Sequence, residues 1–167
     1  GTVGEGWLGR QAAQGVLSLE PQRVAALVDH YRMPMPRTAY AGSIRDMATA
    51  SVDVSDGLIA DLGHVAGASG VCVEIELEHL PLSAAGQAWF EGRVDAEAAL
   101  GILATGGDDY EILFTAPASA LRALERWPLQ DGTGPIQVGR IESRRRGVRL
   151  MDARGRLTPL APRGYDP

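Results

Sequence analysis

SVDVSDGLIADLGHVAGASGVCVEIEL, residues 51–77, passes from one kind of secondary structure to another and back. Residues 51–54 read as a short strand. Asp56 and Gly57 then open a helix carrying Leu58, Leu62, Val65 and Ala66, a spacing that lines one helical face. From Val71 to Leu77 apolar and polar residues alternate strictly, which is the pattern of a half-buried strand. Pro81 closes that segment. Strand, helix and strand in one short stretch point to an α/β (α+β sandwich) fold, a mixed sheet covered by helices.

The flanking sequence repeats this interspersion. On the N-terminal side, Gly1, Gly4 and Gly6 precede a helical pattern through Leu8, Ala12 and Val16. Ser18 can cap a second helix with Glu20 and Pro21 in its first turn. There Val24, Leu27, Val28 and Tyr31 share one face. Met33-Pro34-Met35-Pro36 ends it, because a residue before proline is pushed out of the α region. Ile44, Met47 and Ala48 suggest a further short helix. On the C-terminal side, Asp95 caps a helix through Ala99, Ile102 and Leu103. Gly106-Gly107 is a turn, residues 110–115 a strand and residues 118–127 a helix. Residues 136–141 and 148–151 read as two strands joined by a hairpin whose solvated tip is Arg144-Arg145-Arg146.

The composition narrows the class. The chain has 167 residues, 45% of them hydrophobic and 5% aromatic, which suits one compact domain with an aliphatic core. A net charge of -5 lacks the basic footprint of a nucleic-acid binder. The one cysteine, Cys72, excludes an intrachain disulfide, argues against a cysteine zinc site, and agrees with a reducing cytoplasm. No apolar run approaches the ~20 residues of a membrane span. No basic-then-apolar opening marks a signal peptide. A start at Gly1 without Met suggests a portion of a longer protein.

Two motifs can carry chemistry. Asp53-Val54-Ser55-Asp56-Gly57 sits where a strand meets a helix. Backbone N–H groups and the helix dipole favour phosphate at such a junction. Asp53 and Asp56 can both reach a hard cation such as magnesium, and Ser55 between them can donate to a phosphate oxygen. The same residues also make good helix caps, so capping stays open. In Gly106-Gly107-Asp108-Asp109-Tyr110-Glu111 the glycine pair allows a sharp turn or close approach to a ligand. The adjacent acids point to opposite sides, so one can receive a cationic or amino-bearing substrate. A surface turn leading into an edge strand is the alternative. Gly1, Gly4 and Gly6 resemble a phosphate-cradling loop only loosely and fit a tight turn. His30, His64 and His79 show no metal-ligand spacing with one another, and no nucleophile elbow is present.

In order, Gly1-Thr2-Val3-Gly4, Tyr31 through Arg37, Val52 through Leu58 with Asp61-Leu62, Gly106 through Glu111 leading into Leu113-Phe114-Thr115, and Gly164-Tyr165-Asp166 form one pattern. It resembles the C-terminal domain of thiamine-monophosphate kinase, within the aminoimidazole ribonucleotide synthetase superfamily, over essentially the whole chain. The resemblance implies one domain, residues 1–167, of a two-domain kinase. The other domain would be N-terminal and would supply most of the ATP site and the homodimer interface. The implied reaction is phosphorylation of thiamine monophosphate by ATP with magnesium, in the cytoplasm, by direct in-line transfer. Asp53 and Asp56 would bind magnesium, Ser55 would contact ATP, and Asp108 and Tyr165 would contact thiamine monophosphate. Asp108 stands where the family usually has glutamate, one methylene longer. Three readings remain beside it: a sibling synthetase of the superfamily, a non-catalytic nucleotide- or thiamine-binding module, and a plain structural or interaction domain in which Asp53 and Asp56 are only caps.

Overall fold

The computed structural model describes residues 1–124, 126–127 and 134–159. The chain runs through α1 (Glu5–Ala13), α2 (Pro21–Arg32), α3 (Ala41–Met47), β1 (Ala50–Val54), α4 (Leu58–Ser69) and β2 (Cys72–Glu76). It continues through α5 (Ala84–Glu91), α6 (Ala96–Thr105), β3 (Glu111–Thr115), α7 (Leu121–Leu124), β4 (Gly139–Glu142), β5 (Gly147–Met151) and β6 (Leu157–Thr158). β1 and β3 pair antiparallel, with Asp53 opposite Ile112 and Val54 opposite Glu111. A second sheet has the order β4-β2-β5-β6, with β2 antiparallel to β4 and parallel to β5. The fold is therefore the expected mixed α/β arrangement.

α4 packs against β1, β2 and β5. Its apolar stripe, Leu58, Leu62 and Ala66, meets Val54, Val73, Ile75 and Leu150 in one core. A second core joins α1, α2, α5 and α6 through Leu8, Leu27, Trp89 and Leu103. Trp7 packs edge-on against Trp89 at 5.5 Å between ring centres. Each fully buried leucine is worth about 1.5–3 kcal/mol relative to exposure. The two cores thus fix the helices on either side of the β1–α4 junction.

Several local expectations change. β4 and β5 do not form a hairpin, because β2 lies between them and pairs with both. Arg144, Arg145 and Arg146 are exposed, as expected, but on a connection that spans the end of β2. The strand expected to be half-buried is buried on both faces from Cys72 to Ile75. Its register explains this: Glu74 lies beside Arg140 on β4 and Arg149 on β5. Its carboxylate meets their guanidiniums at 2.6 and 2.7 Å, so the arginine stems cover the polar face. α1 ends at Ala13, leaving Val16 exposed. α2 starts at Pro21 with Glu20, not Ser18, at the cap position. The helix expected over residues 118–127 shortens to a 3-10 turn and α7. α5, capped by Ser83, and β6 carry too short a signal for the periodicity argument to register.

Candidate functional site

The site is built on the turn between β1 and α4. Gly57 adopts φ 109° and ψ 149°, and a Cβ there would lie 2.6 Å from the Thr105 carbonyl oxygen. Only glycine lets the turn rest against the end of α6. Neither Ser55 nor Asp56 caps α4. Instead Asp61, in the first turn of α4, reaches back, and its Oδ2 accepts from the N–H groups of Ser55 at 3.0 Å and Asp56 at 3.1 Å. The turn is held by a buried acid, while Asp53 and Asp56 remain exposed and Ser55 is half-buried.

The second motif docks onto the first through its backbone. Asp108 N–H donates to the Ser55 carbonyl at 2.9 Å and Tyr110 N–H to the Val54 carbonyl at 2.8 Å. A Cβ on Gly107 would lie 2.6 Å from the Ser55 oxygen. From there the side chains alternate in direction. Asp109 is buried, and its two carboxylate oxygens accept from Gly4 N–H and Gly6 N–H, each at 2.8 Å. Glu111 is buried and takes both arms of Arg37, at 2.8 Å from Nε and 2.6 Å from Nη2. Asp108 and Tyr110 point the other way, at φ 66° and φ 50°. The Tyr110 hydroxyl donates to Asp108 Oδ1 at 3.4 Å. The expectation of acids on opposite sides therefore holds. The glycine-rich opening serves as a cradle for the chain's own carboxylate.

Electrostatics places the outward groups in one field. Burial pushes the Asp61 carboxyl up; its two backbone donors pull it back, and the charges of Asp56 and Asp53 add to the rise. Asp108, and more weakly Asp53, raise the Tyr110 phenol. Burial lifts Asp109 to about 7 against the pull of Gly4 and Gly6, with Glu5 and Glu111 adding to it. Burial also acts on Glu111, but the Arg37 guanidinium outweighs it and holds the carboxyl below its ordinary range. Asp56, Asp61 and His64 bring ligand atoms within 4.8 Å of one another. His64 is exposed, off the Leu58, Leu62 and Ala66 stripe of α4. The i, i+3 spacing of Asp61 and His64 on α4 was a readable sign of this proximity. Asp53 and Asp56 both act on Asp61, and Asp53 and Asp108 both act on Tyr110, so the three acids form one rim, with Ser55 joined to it through its carbonyl. Tyr165 lies outside the described residues.

No protein-family model matches the chain. Among curated proteins, the thiamine-monophosphate kinase of Salmonella typhimurium is 36% identical over 167 residues, covering 99% of this chain and 50% of that protein. This chain is homologous to about half of a thiamine-monophosphate kinase. The thiamine-monophosphate kinase of Caulobacter vibrioides is 45% identical over 114 residues, 68% of this chain and 31% of the relative. The chain spans half or less of the length of these relatives. A solved structure of AaThiL complexed with AMPPCP and TMP matches 99% of this chain and 48% of its own, with a TM-score of 0.76 and 32% identity. Escherichia coli HypE, at 22% identity and a TM-score of 0.65, shares the fold. Among the described residues no helix is long and apolar enough to cross a membrane.

Proposed function

We propose that this chain forms part of an ATP-dependent kinase that converts thiamine monophosphate to thiamine diphosphate. One observation carries the reading: the aspartate-serine-aspartate-glycine turn and the glycine-glycine-aspartate-aspartate-tyrosine-glutamate turn lock backbone to backbone, which leaves Asp53, Asp56 and Asp108 outward while Asp109 and Glu111 are buried. The homology supports it, as does the relative solved with AMPPCP, an ATP analogue, and TMP, the phosphate acceptor in this reading.

In this reading Ser55 contacts ATP, and Asp108 contacts thiamine monophosphate across a side chain one methylene shorter than the family's glutamate. Tyr165 is a second substrate contact. Asp53 and Asp56 hold magnesium. They suit that role because they are exposed hard oxygen donors, Asp53 near the end of β1 and Asp56 in the turn that follows, and because Asp61 rather than either of them secures that turn. Magnesium, when bound, neutralises and aligns the two polyanions. The acceptor is already an ionised phosphate, so the chain needs no strong general base and offers no activated nucleophile. A second, N-terminal domain would complete the ATP site and form the homodimer.

The test joins this chain to the other half carried by its relatives, with ATP, magnesium and thiamine monophosphate. Magnesium-dependent thiamine diphosphate, resolved by chromatography, is the expected product. A folded protein that binds ATP and makes none would shift the assignment to a sibling enzyme or a binding module.

A further inference from the structure

Tyr110 is a tyrosine at a position that local structure does not require to be one. Its φ of 50° lies in the left-handed region, where a bulky aromatic is an outlier and glycine would sit without strain. The conformation is imposed from both sides. Asp109 is pinned to Gly4 and Gly6, Glu111 is pinned to Arg37, and the Tyr110 N–H is pinned to Val54. The ring fills no core, since Tyr110 is 45% exposed. Its hydroxyl instead bonds Asp108, and Asp53 is close enough to act on it. The result is an exposed aromatic face, held by a strained backbone, on an acidic rim.

We infer that Tyr110 contacts the acceptor directly, its ring face taking the planar, permanently cationic heteroaromatic ring while Asp108 takes a neighbouring polar group. The inference rests on the proposed function and adds a residue to it. A ring face attracts a cation through its quadrupole, and the surrounding carboxylates deepen the attraction. The Tyr110 hydroxyl lies 3.4 Å from Asp108 Oδ1, so ring and carboxylate stand side by side on one surface. Strain held at such a position is common where a side chain must be presented to a ligand.

The test uses the two-domain protein and three variants: Tyr110→Phe, Tyr110→Ala and Tyr110→Gly. Removing the ring should raise KM for thiamine monophosphate roughly 2- to 30-fold, the range of a cation–π contact. KM for ATP should stay unchanged, and Tyr110→Phe, which keeps the ring face and loses only the hydroxyl beside Asp108, should raise KM for thiamine monophosphate by less than Tyr110→Ala does. Tyr110→Gly should show the same rise in KM with a Tm equal to wild type or up to about 4 °C higher, because the backbone strain is relieved. An unchanged KM for thiamine monophosphate in Tyr110→Ala and Tyr110→Gly overturns the inference and leaves the kinase reading standing. So does a Tyr110→Gly protein that loses stability and affinity for both substrates together, which would make the ring structural. A Tyr110→Phe variant as impaired as Tyr110→Ala rejects the ring face in favour of the hydroxyl. A wild-type protein that makes no thiamine diphosphate removes the functional reading, and this inference with it.

Discussion

Asp109 and its two glycine donors join the first turn of the chain to the entrance of β3. An unfolded aspartate ionises near 3.8, and this one does so near 7. Between those values the folded protein keeps a proton that the unfolded chain has released. The stability contributed by this group is complete below about pH 4 and drains away as the pH rises to about 7, a span of roughly 4 kcal/mol. Asp109→Asn removes that dependence. It also sets an amide nitrogen, which cannot accept, against a backbone N–H, so it should cost about 1–3 kcal/mol at low pH. Urea midpoints from pH 4.5 to 8 should show the gap between wild type and variant closing and then reversing as the pH rises, because the roughly 4 kcal/mol lost by the wild type exceeds the cost of the substitution. A gap independent of pH would show that Asp109 does not titrate in this range. Asp53→Asn and Asp56→Asn should behave otherwise. Both side chains are exposed, so stability should stay within about 0.5 kcal/mol while kcat of the two-domain enzyme falls by about a hundredfold or more. Full turnover in both would reject the metal assignment. The motif order made these outward acids legible. What no local pattern could report is that Asp61 turns back onto Ser55 and Asp56, or that Asp109 crosses over a hundred residues to reach Gly4 and Gly6.

At the scale of an element, α4 and the turn before it show how position decides the sign of one substitution. Gly63→Ala meets nothing within 4 Å and lies within α4, so it should stabilise by about 0.5–1 kcal/mol. Gly57→Ala forces a Cβ to 2.6 Å from the Thr105 oxygen at φ 109° and should destabilise by more than about 2 kcal/mol. Thermal unfolding of the pair checks both signs. α4 itself was readable because its apolar spacing is regular, and α6 because Asp95 caps it, accepting from Ala98 N–H at 2.9 Å. β4 and β5 were misread as a hairpin because closeness in sequence, with an exposed turn between, is the same signal whether or not another strand intervenes. The alternation in β2 misled for a related reason. Polar residues in a strand imply a wet face unless neighbouring strands bring counter-charges, and Arg140 and Arg149 do so.

For the molecule as a whole, the exposed acids Asp53 and Asp56 belong to a chain that spans half or less of its relatives' length. This chain by itself is expected to give no magnesium-dependent thiamine diphosphate, and adding the other half should restore it. Turnover by these residues alone would refute the division of labour proposed above. The interleaving of β4, β2 and β5 matters before the fold exists at all. Both neighbours of β2 are encoded more than sixty residues after it. On a ribosome, β2 therefore emerges with two bare edges and waits roughly ten seconds for its partners to be translated. A run of Val and Ile left that way would invite neighbouring nascent chains to pair with it. Glu74 and Glu76 sit inside it, and until Arg140 and Arg149 arrive their like charges repel any second copy. Glu74 and Glu76, which end up paired with Arg140 and Arg149, are thus the charges a bare β2 carries before those partners exist.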